Sequence, residues 1–430
     1  MPKPAKTDAS SGATGSRAPR LVIAVFGLVL LLYAAYQFQS GKWAADLGAL
    51  YFGSRAYGLG LIDAIYVAPE GFFGRPVTDP RWIGIATDLG IGGQSLLPFV
   101  YAPLFAALLS PIAVSIGPQA FFDGALLIQL PLLFAAVFWA RQTLGSAAQR
   151  AEVWIFTTLL VCGASVPFFF AVYHVQPQMT VTAAVLVSFA LYRRNHPVWA
   201  GIVLVLPIAL KLWPAIFVAI YLADRNWRAF LATTATGALL LLVSILWLGL
   251  DLHLDFLGQL GRANSMMVVS NYNFGAEGLW VSLRQALGQS PLDFTGAQPF
   301  VVVARNSADK IFFAALLVLV SFGHLWSCAK GPDNLRLWRQ VMGLWCAAIL
   351  FGPLGWAHYA LGPLLLAPGI LAARPLVRAR LVLVLVAVAL SILTAWLPPE
   401  VIDGIQTRSL LGILALVLLL SSAILPPVRQ

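Results

Sequence analysis

The chain has 430 residues, of which 60% are hydrophobic and only 10% are charged. Soluble globular domains carry about 25% charged residues, so this composition excludes an ordinary soluble enzyme and favours a protein of the bilayer. The net charge is +10, but the basic residues lie mainly in short loops between apolar runs, as the positive-inside rule predicts for a membrane protein. We therefore expect membrane lipids as partners and no nucleic acid.

Residues 1–20 are rich in Ser, Ala, Gly, Pro and Lys, which is typical of a disordered segment. Lys3, Lys6, Arg17 and Arg20 predict that this N-terminus lies in the cytoplasm. The apolar run Leu21–Phe38 follows without an A-x-A-like cleavage site, so we expect an uncleaved membrane anchor.

A polar segment, about residues 39–119, follows this first span and is predicted to be extracytoplasmic. It opens with KWAADLGALYFGSRAYGLG, in which Asp46 heads a short amphipathic stretch and Arg55 lies on another face. A carboxylate just outside a membrane helix is a candidate general base. The alternative is a solvated aspartate that caps a helix, because Asp is favoured at the N-cap.

The apolar run Pro98–Ile116 lies within that segment and is long enough to span the membrane, but Pro103 and Pro111 interrupt it. A full span here would put Arg141 and Arg150 on the outer side, against the positive-inside rule. We therefore predict a half-inserted helix in the outer interface, anchored by Tyr101.

The segment His196–Arg228 is too long for one span and too short for two, and Lys211 lies in its middle. A charge within an apolar segment is costly and usually functional. Two short helices that meet near the outer surface, with Lys211 at the bend, would satisfy both constraints. The alternative is a snorkelling lysine on one tilted helix.

A second outer segment, about residues 251–309, contains an amphipathic stretch predicted to lie on the membrane and then SNYNFGAEGLW, which is dense in amides and aromatics. Near the C-terminus, GPLGWAHY puts His358 at the outer face. The sequence thus predicts an all-α integral membrane protein: one helical bundle over residues 21–428, with about twelve spans, outer juxtamembrane helices and both termini inside.

The order of motifs resembles glycosyltransferase family 87, the polyprenyl-phosphate-mannose-dependent mannosyltransferases with the GT-C fold, from about Trp43 to Pro363. The family often has Tyr-Pro-Pro where this chain has Tyr-Ala-Pro, Gly-Gln near Tyr173–Val175, and Ser-Trp-x-His-His where this chain has Gly-Trp-Ala-His-Tyr. The motifs that carry the resemblance are Asp46 after span one, YAPLFAALLSP from Tyr101, YHVQPQ from Tyr173, GIVLVLPIALKLWP from Gly201, and WAHY from Trp356.

The resemblance implies roles for three side chains. Asp46 would be the catalytic base, His358 a second active-site residue near the donor phosphate, and Lys211 the lysine that contacts this phosphate from the bend of a broken helix.

The chemistry of a lipid-phosphate sugar agrees with these roles. The leaving group is a stabilised phosphate anion, so the site needs cationic groups rather than a strong acid. Lys211, His358, Arg262 and Arg55 are the candidates. One carboxylate can take the proton of the acceptor hydroxyl, which predicts inversion, with no cofactor and no metal.

Polar side chains of the predicted outer turns are candidates for binding sugar or acceptor. The alternative for each group is an ordinary polar cap or interfacial loop. The candidates are Tyr101, His174, Gln176, Gln178, Asn271 and Asn273.

We expect transfer of a sugar, with mannose favoured, from a polyprenyl-phosphate donor to a lipid-linked or cell-envelope glycan outside a bacterial inner membrane. The alternative is a transporter or flippase of lipid-linked sugars, which predicts paired repeats and few long outer segments. A non-catalytic scaffold gives no reason for Asp46, Lys211 and His358 to converge on one face.

Overall fold

A computed structural model describes residues 17–69, 72–73, 75–289, 300–331, 333–402 and 405–425. The chain is mainly helical, and two short antiparallel strand pairs, β1–β2 and β3–β4, are its only sheets within these ranges. The α-helices are α1 (Arg17–Gln39), α2 (Ala45–Gly58), α3 (Pro80–Asp88), α4 (Pro103–Ser115), α5 (Pro118–Gln142), α6 (Ala151–Cys162), α7 (Val166–Tyr173), α8 (Gln178–Arg193), α9 (Pro197–Leu210), α10 (Val218–Ala223), α11 (Trp227–Leu248), α12 (Leu250–Asn264), α13 (Ala276–Ala286), α14 (Ser307–Ala329), α15 (Asp333–Phe351), α16 (Leu361–Leu366), α17 (Ile370–Ala373), α18 (Leu376–Ala389) and α19 (Thr407–Ile424). The strands are β1 (Met266–Ser270), β2 (Phe300–Ala304), β3 (Glu400–Ile402) and β4 (Ile405–Gln406).

The apolar helices confirm a helical membrane protein. Within the described ranges, α1, α5, α11, α14 and α19 are each long and apolar enough to cross a membrane, and α7 with α8 gives a sixth span if this bent pair is counted as one. The predicted count of twelve spans is therefore not confirmed. The difference arises because several predicted spans fall on short helices, such as the 12 residues of α6 and the 14 of α18.

The first helix begins earlier than predicted, at Arg17 instead of Leu21. Residues 17–20 thus belong to α1, which corrects the predicted disordered segment at this end. The prediction for residues 1–16 lies outside the described residues.

The apolar run from Glu152 to Val172 predicts one membrane span, but the structure divides it into α6 and α7. Ser165 caps α7 by accepting a hydrogen bond from the Phe168 amide, and Pro167 lies in the first helical turn, where a missing amide hydrogen costs nothing. The axis then turns by 116° between α7 and α8. In the connecting turn, residues 174–177, His174 is half-buried and the other three residues are buried.

The segment around Lys211 is broken, as predicted. Helix α9 ends at Leu210, Lys211 has extended backbone angles, and a 3₁₀ turn from Trp213 to Phe217 leads into α10. Pro214 favours this end, because proline has no amide hydrogen to donate to the carbonyl four residues earlier, that of Leu210. Lys211 therefore lies at a helix terminus and not along a continuous helix.

Helix α4 follows the predicted interfacial run and is short, with 13 residues. It packs along α2, and the two helices approach closely at Gly58, which faces Val114 of α4. Gly53 of α2 faces the ring of Phe99, in the segment that precedes α4. A Cβ atom at Gly53 would lie 2.3 Å from that ring. This packing fixes α2, and with it Asp46, against the outer segment.

The second predicted outer segment contains strands that the all-α prediction missed. Strand β1 pairs with β2 in antiparallel register, from Met266 opposite Ala304 to Ser270 opposite Phe300. The loop after β1 then joins the segment before His358: the Phe274 amide donates to the Gly355 carbonyl at 2.6 Å, and the Ala357 amide to the Tyr272 carbonyl at 2.7 Å. Two distant parts of the chain are thereby held side by side.

Candidate active site

Asp46 lies in the first turn of α2, with 22% of its side chain exposed. Ala44 is the N-cap residue of this helix, and no side chain caps it. The capping alternative for Asp46 therefore does not hold. A carboxylate in the first turn is stabilised by the helix dipole, and its oxygens are left to interact with other parts of the chain.

Gln176 joins the carboxylate to the lysine. Its side-chain amide nitrogen, Nε2, donates a hydrogen bond to Asp46, and its Oε1 accepts one from Lys211 Nζ at 3.0 Å. Gln176 is buried, in the turn between α7 and α8. The backbone of this turn is constrained, because Val175 adopts a positive φ of 45°. Three helical segments thus meet at one hydrogen-bonded chain.

His174, in the same turn, faces the other carboxylate oxygen: its Nδ1 lies 3.8 Å from Asp46 Oδ1. The imidazole packs against Phe170, with ring centroids 5.3 Å apart, and edge-on to Tyr173 at 4.9 Å. These contacts fix the imidazole plane beside the carboxylate.

His358 completes the ionisable cluster. It lies in the 3₁₀ turn Ala357–Ala360, is 4% exposed, and interacts electrostatically with Lys211 and His174. Its Nε2 is buried and has no hydrogen-bond partner among the described residues. A buried imidazole nitrogen without a partner is uncommon in proteins, which makes His358 a candidate site residue.

Two tyrosines line the same site. Lys211 Nζ lies 4.7 Å from the ring centroid of Tyr359, a cation–π contact, and Trp213 stacks on that ring at 5.7 Å. Tyr101 and Tyr359 both interact electrostatically with Asp46. We call the group Asp46, Tyr101, His174, Gln176, Lys211, His358 and Tyr359 the Asp46 cluster.

The structure does not bring every predicted site residue into this cluster. Arg55 is engaged elsewhere: its Nη1 donates to the Ala113 carbonyl at 2.7 Å and to the Tyr51 hydroxyl at 3.2 Å, near the C-terminal end of α4. Arg262 donates to the Tyr66 carbonyl and to Gln259. Gln178 donates to Thr182 within its own helix.

The two predicted asparagines have structural partners. Asn271 donates to the Pro399 carbonyl and to Gln406, which ties its loop to the β3–β4 pair. Asn273 donates to the Val268 carbonyl at 2.6 Å and accepts from the Gly355 amide at 3.0 Å. Asn273 thus holds the segment that leads to His358.

Sequence reasoning gave no role to Tyr359 and Trp213. Both adjoin motifs that it did use, WAHY and ALKLWP, so their position in the sequence was the available signal. In the part of the chain that the structure describes, no three His, Cys, Asp or Glu side chains are grouped so that they could hold a metal ion.

A helical membrane protein that gathers a carboxylate, an ammonium and two imidazoles in one cluster fits the class of membrane glycosyltransferases. Comparison with known proteins identifies the family: the profile of glycosyltransferase family 87 matches residues 99–353, more than half of the chain, and the chain belongs to that family. Gln176 and Lys211 lie inside the matched range, whereas Asp46 and His358 lie outside it.

A relative of known activity supports this assignment. The chain is 25% identical over 326 residues to a protein of Mycobacterium tuberculosis described as a polyprenol-phosphate-mannose-dependent alpha-(1-2)-phosphatidylinositol mannoside mannosyltransferase. The alignment covers 71% of this chain and 69% of the relative.

Proposed function

We propose that this membrane glycosyltransferase transfers mannose from a polyprenyl-phosphate-mannose donor to a lipid-linked or cell-envelope glycan, at the outer face of a bacterial inner membrane. The proposed donor is the one named in the description of the mycobacterial relative, which acts on a glycolipid acceptor. Among the structural observations, the one that carries the proposal is the hydrogen-bonded chain from Asp46 through Gln176 to Lys211.

In this proposal Asp46 is the general base. The acceptor hydroxyl oxygen attacks the anomeric carbon while the Asp46 carboxylate takes the hydroxyl proton. The bond between that carbon and the phosphate oxygen breaks, and the phosphate leaves with the electron pair. A single displacement by one base inverts the anomeric configuration, and in the Asp46 cluster no second carboxylate lies beside Asp46.

Lys211 and His358 are proposed to receive the donor phosphate. The Lys211 ammonium lies at a helix break, and His358 Nε2 is buried without a hydrogen-bond partner among the described residues. Both groups can stabilise the charge that grows on the leaving oxygen. Since these groups already supply positive charge and a hydrogen-bond donor, the proposal requires no metal ion. Tyr359 supports Lys211 through its ring face.

The transporter or flippase alternative gains no support, because the chain belongs to a glycosyltransferase family. A transporter would also give no catalytic role to the Asp46 carboxylate near the proposed phosphate-binding groups.

The test is a transfer assay with purified protein in lipid nanodiscs. We expect mannose transfer from polyprenyl-phosphate-mannose to a mannosylated phosphatidylinositol acceptor, with the new linkage inverted relative to the donor and the rate unchanged by a chelator. A matched reaction with a nucleotide sugar and a divalent metal serves as the control. Transfer only in that control reaction, or a retained configuration, would contradict the proposal.

A further inference from the structure

A concave site lies at Tyr66, whose hydroxyl donates a hydrogen bond to the backbone of Tyr101 in the Asp46 cluster. It is a cavity of about 410 Å³ formed between residues 66–68, residues 77–79 and Arg262, and we call it the outer pocket. This volume falls within the usual range of about 300–1,000 Å³ for small-molecule sites. The pocket joins the first and second predicted outer segments, which are far apart in the sequence.

The outer pocket offers both signs of charge and a hydroxyl group. Arg81 donates to both carboxylate oxygens of Asp79, at 3.0 and 2.9 Å, and these hydrogen bonds hold the pKa of Asp79 below its ordinary value. Asp79 is therefore an ionised acceptor with lone pairs to spare. Arg262 supplies donors from the opposite wall, and Thr78 adds an exposed hydroxyl.

This combination suits a neutral molecule with many hydroxyl groups. Sugar hydroxyls donate to carboxylates and accept from guanidinium groups, and hydrogen bonds to charged partners are the stronger ones. A phosphate is less suitable, because the carboxylate of Asp79 in the same pocket would repel it. The pocket therefore does not fit the donor phosphate, which Arg262 was predicted to bind.

Hydrogen bonds to one short backbone segment link the outer pocket to the Asp46 cluster. Tyr66, which lines the pocket, donates its hydroxyl to the Tyr101 carbonyl at 2.8 Å, and Tyr101 belongs to the cluster. Gln259 donates to the Phe99 carbonyl at 3.2 Å and accepts from Arg262 at 2.7 Å. The same short segment, residues 99–101, thus contacts residues of both sites, so the two sites are neighbours.

We propose that the outer pocket is an acceptor subsite, which binds a sugar residue of the acceptor other than the one whose hydroxyl reacts at Asp46. The inference rests on the proposed function and deepens it: the acceptor is an oligosaccharide of at least two units, and Arg262 and Asp79 determine its length preference.

The test compares octyl mannoside with octyl dimannoside as acceptors. In the wild type we expect a lower KM for the dimannoside, because only it reaches the outer pocket. Arg262→Gln should raise the KM of the dimannoside by about tenfold or more, the effect of losing one charge-assisted hydrogen bond. The KM of the monomannoside, the kcat values and the donor KM should not change. Arg75→Gln, an exposed arginine of the same outer segment, is the matched control and should leave both KM values unchanged.

Equal KM changes for the two acceptors, or no change for either, would overturn the inference while leaving the proposed function intact. The proposed function is judged separately, by transfer to the mannosylated phosphatidylinositol acceptor. If the wild type transfers mannose to neither octyl mannoside, binding is measured by saturation-transfer NMR: dimannoside binding that Arg262→Gln weakens supports the subsite, and binding that is absent or unaffected by this substitution refutes it.

Discussion

Gln176 is the residue that keeps the base and the cation of the candidate site apart. Its amide contacts Asp46 with the donor end and Lys211 with the acceptor end. Without it, the two charged groups could pair directly, and the ammonium would then be engaged by the carboxylate and not by a phosphate. A neutral amide satisfies both partners without adding charge, which matters in a partly buried site.

Gln176→Glu tests this role with a change of one atom. The new carboxylate would pair with Lys211 and place a second negative charge beside Asp46, so we expect kcat to fall at least tenfold and the donor KM to rise. Steady-state kinetics with varied donor concentration measures both. Gln94→Glu, the same change at an exposed position of the first outer segment, should have no effect, and equal kinetics of the two variants would show that Gln176 has no positioning role.

At the scale of elements, the site depends on the pairing of residues 272–275 with residues 355–357. The side-chain oxygen of Asn273, Oδ1, accepts hydrogen bonds from the Gly355 amide and the Gly275 amide, both at 3.0 Å. At Gly355 the backbones approach so closely that a Cβ atom would lie 2.4 Å from the Gly275 nitrogen and 2.6 Å from the Ile349 carbonyl oxygen. Neither obstacle is the end of a flexible side chain, so a larger residue must displace the loop.

Gly355→Ala should therefore separate the two segments and shift His358, three residues further on. We expect a loss of roughly 1–3 kcal/mol in the free energy of unfolding, the usual cost of overpacking, together with lower transfer activity. Thermal unfolding in nanodiscs and the transfer assay measure the two effects. Gly93→Ala, where nothing lies within 4 Å of the added atom, is the control. If Gly355→Ala were as stable as Gly93→Ala, this account of the loop would be refuted.

The sequence predicted elements well where the signal was local. The charge of Lys211 and the following Pro214 predicted a helix break there, and the structure has one. The β1–β2 pair was missed because its valine-rich strands, VVS and VVV, lie about 30 residues apart, and pairing over that distance leaves no local pattern. The division of α6 from α7 was missed because apolar residues continue through the break.

The candidate site followed the same rule. The motifs pointed to Asp46, Gln176, Lys211 and His358, and the structure places them together. Arg55 was misleading, because from sequence an arginine that caps the end of a neighbouring helix looks the same as one that binds phosphate. Only tertiary contacts distinguish them.

At the scale of the whole molecule, two buried arginines meet at the end of α19 that is predicted to face the cytoplasm. Arg339 is buried and donates to the carbonyls of Ala423 and Ile424, and Arg374 donates to those of Ser422 and Leu425. Both thus satisfy the last carbonyls of α19 and oppose the negative end of its dipole.

This orientation can be tested by labelling with a membrane-impermeant maleimide. The three native cysteines are buried, so background labelling should be low. Gln94→Cys, in the first outer segment, should react in intact spheroplasts, whereas Ser146→Cys, between α5 and α6, should react only after the membrane is opened. The reverse pattern would put the Asp46 cluster on the cytoplasmic side and contradict the proposed donor geometry.

The most direct test of the central claim is the single-turnover rate of mannose transfer by Asp46→Asn, with wild-type protein and the exposed Asp88→Asn variant as references. If Asp46 is the general base, the rate should fall by at least about a hundredfold, since such groups contribute roughly 10²–10⁴, while donor binding and thermal stability are retained. A rate equal to that of the wild type would show that the Asp46 carboxylate is not the base.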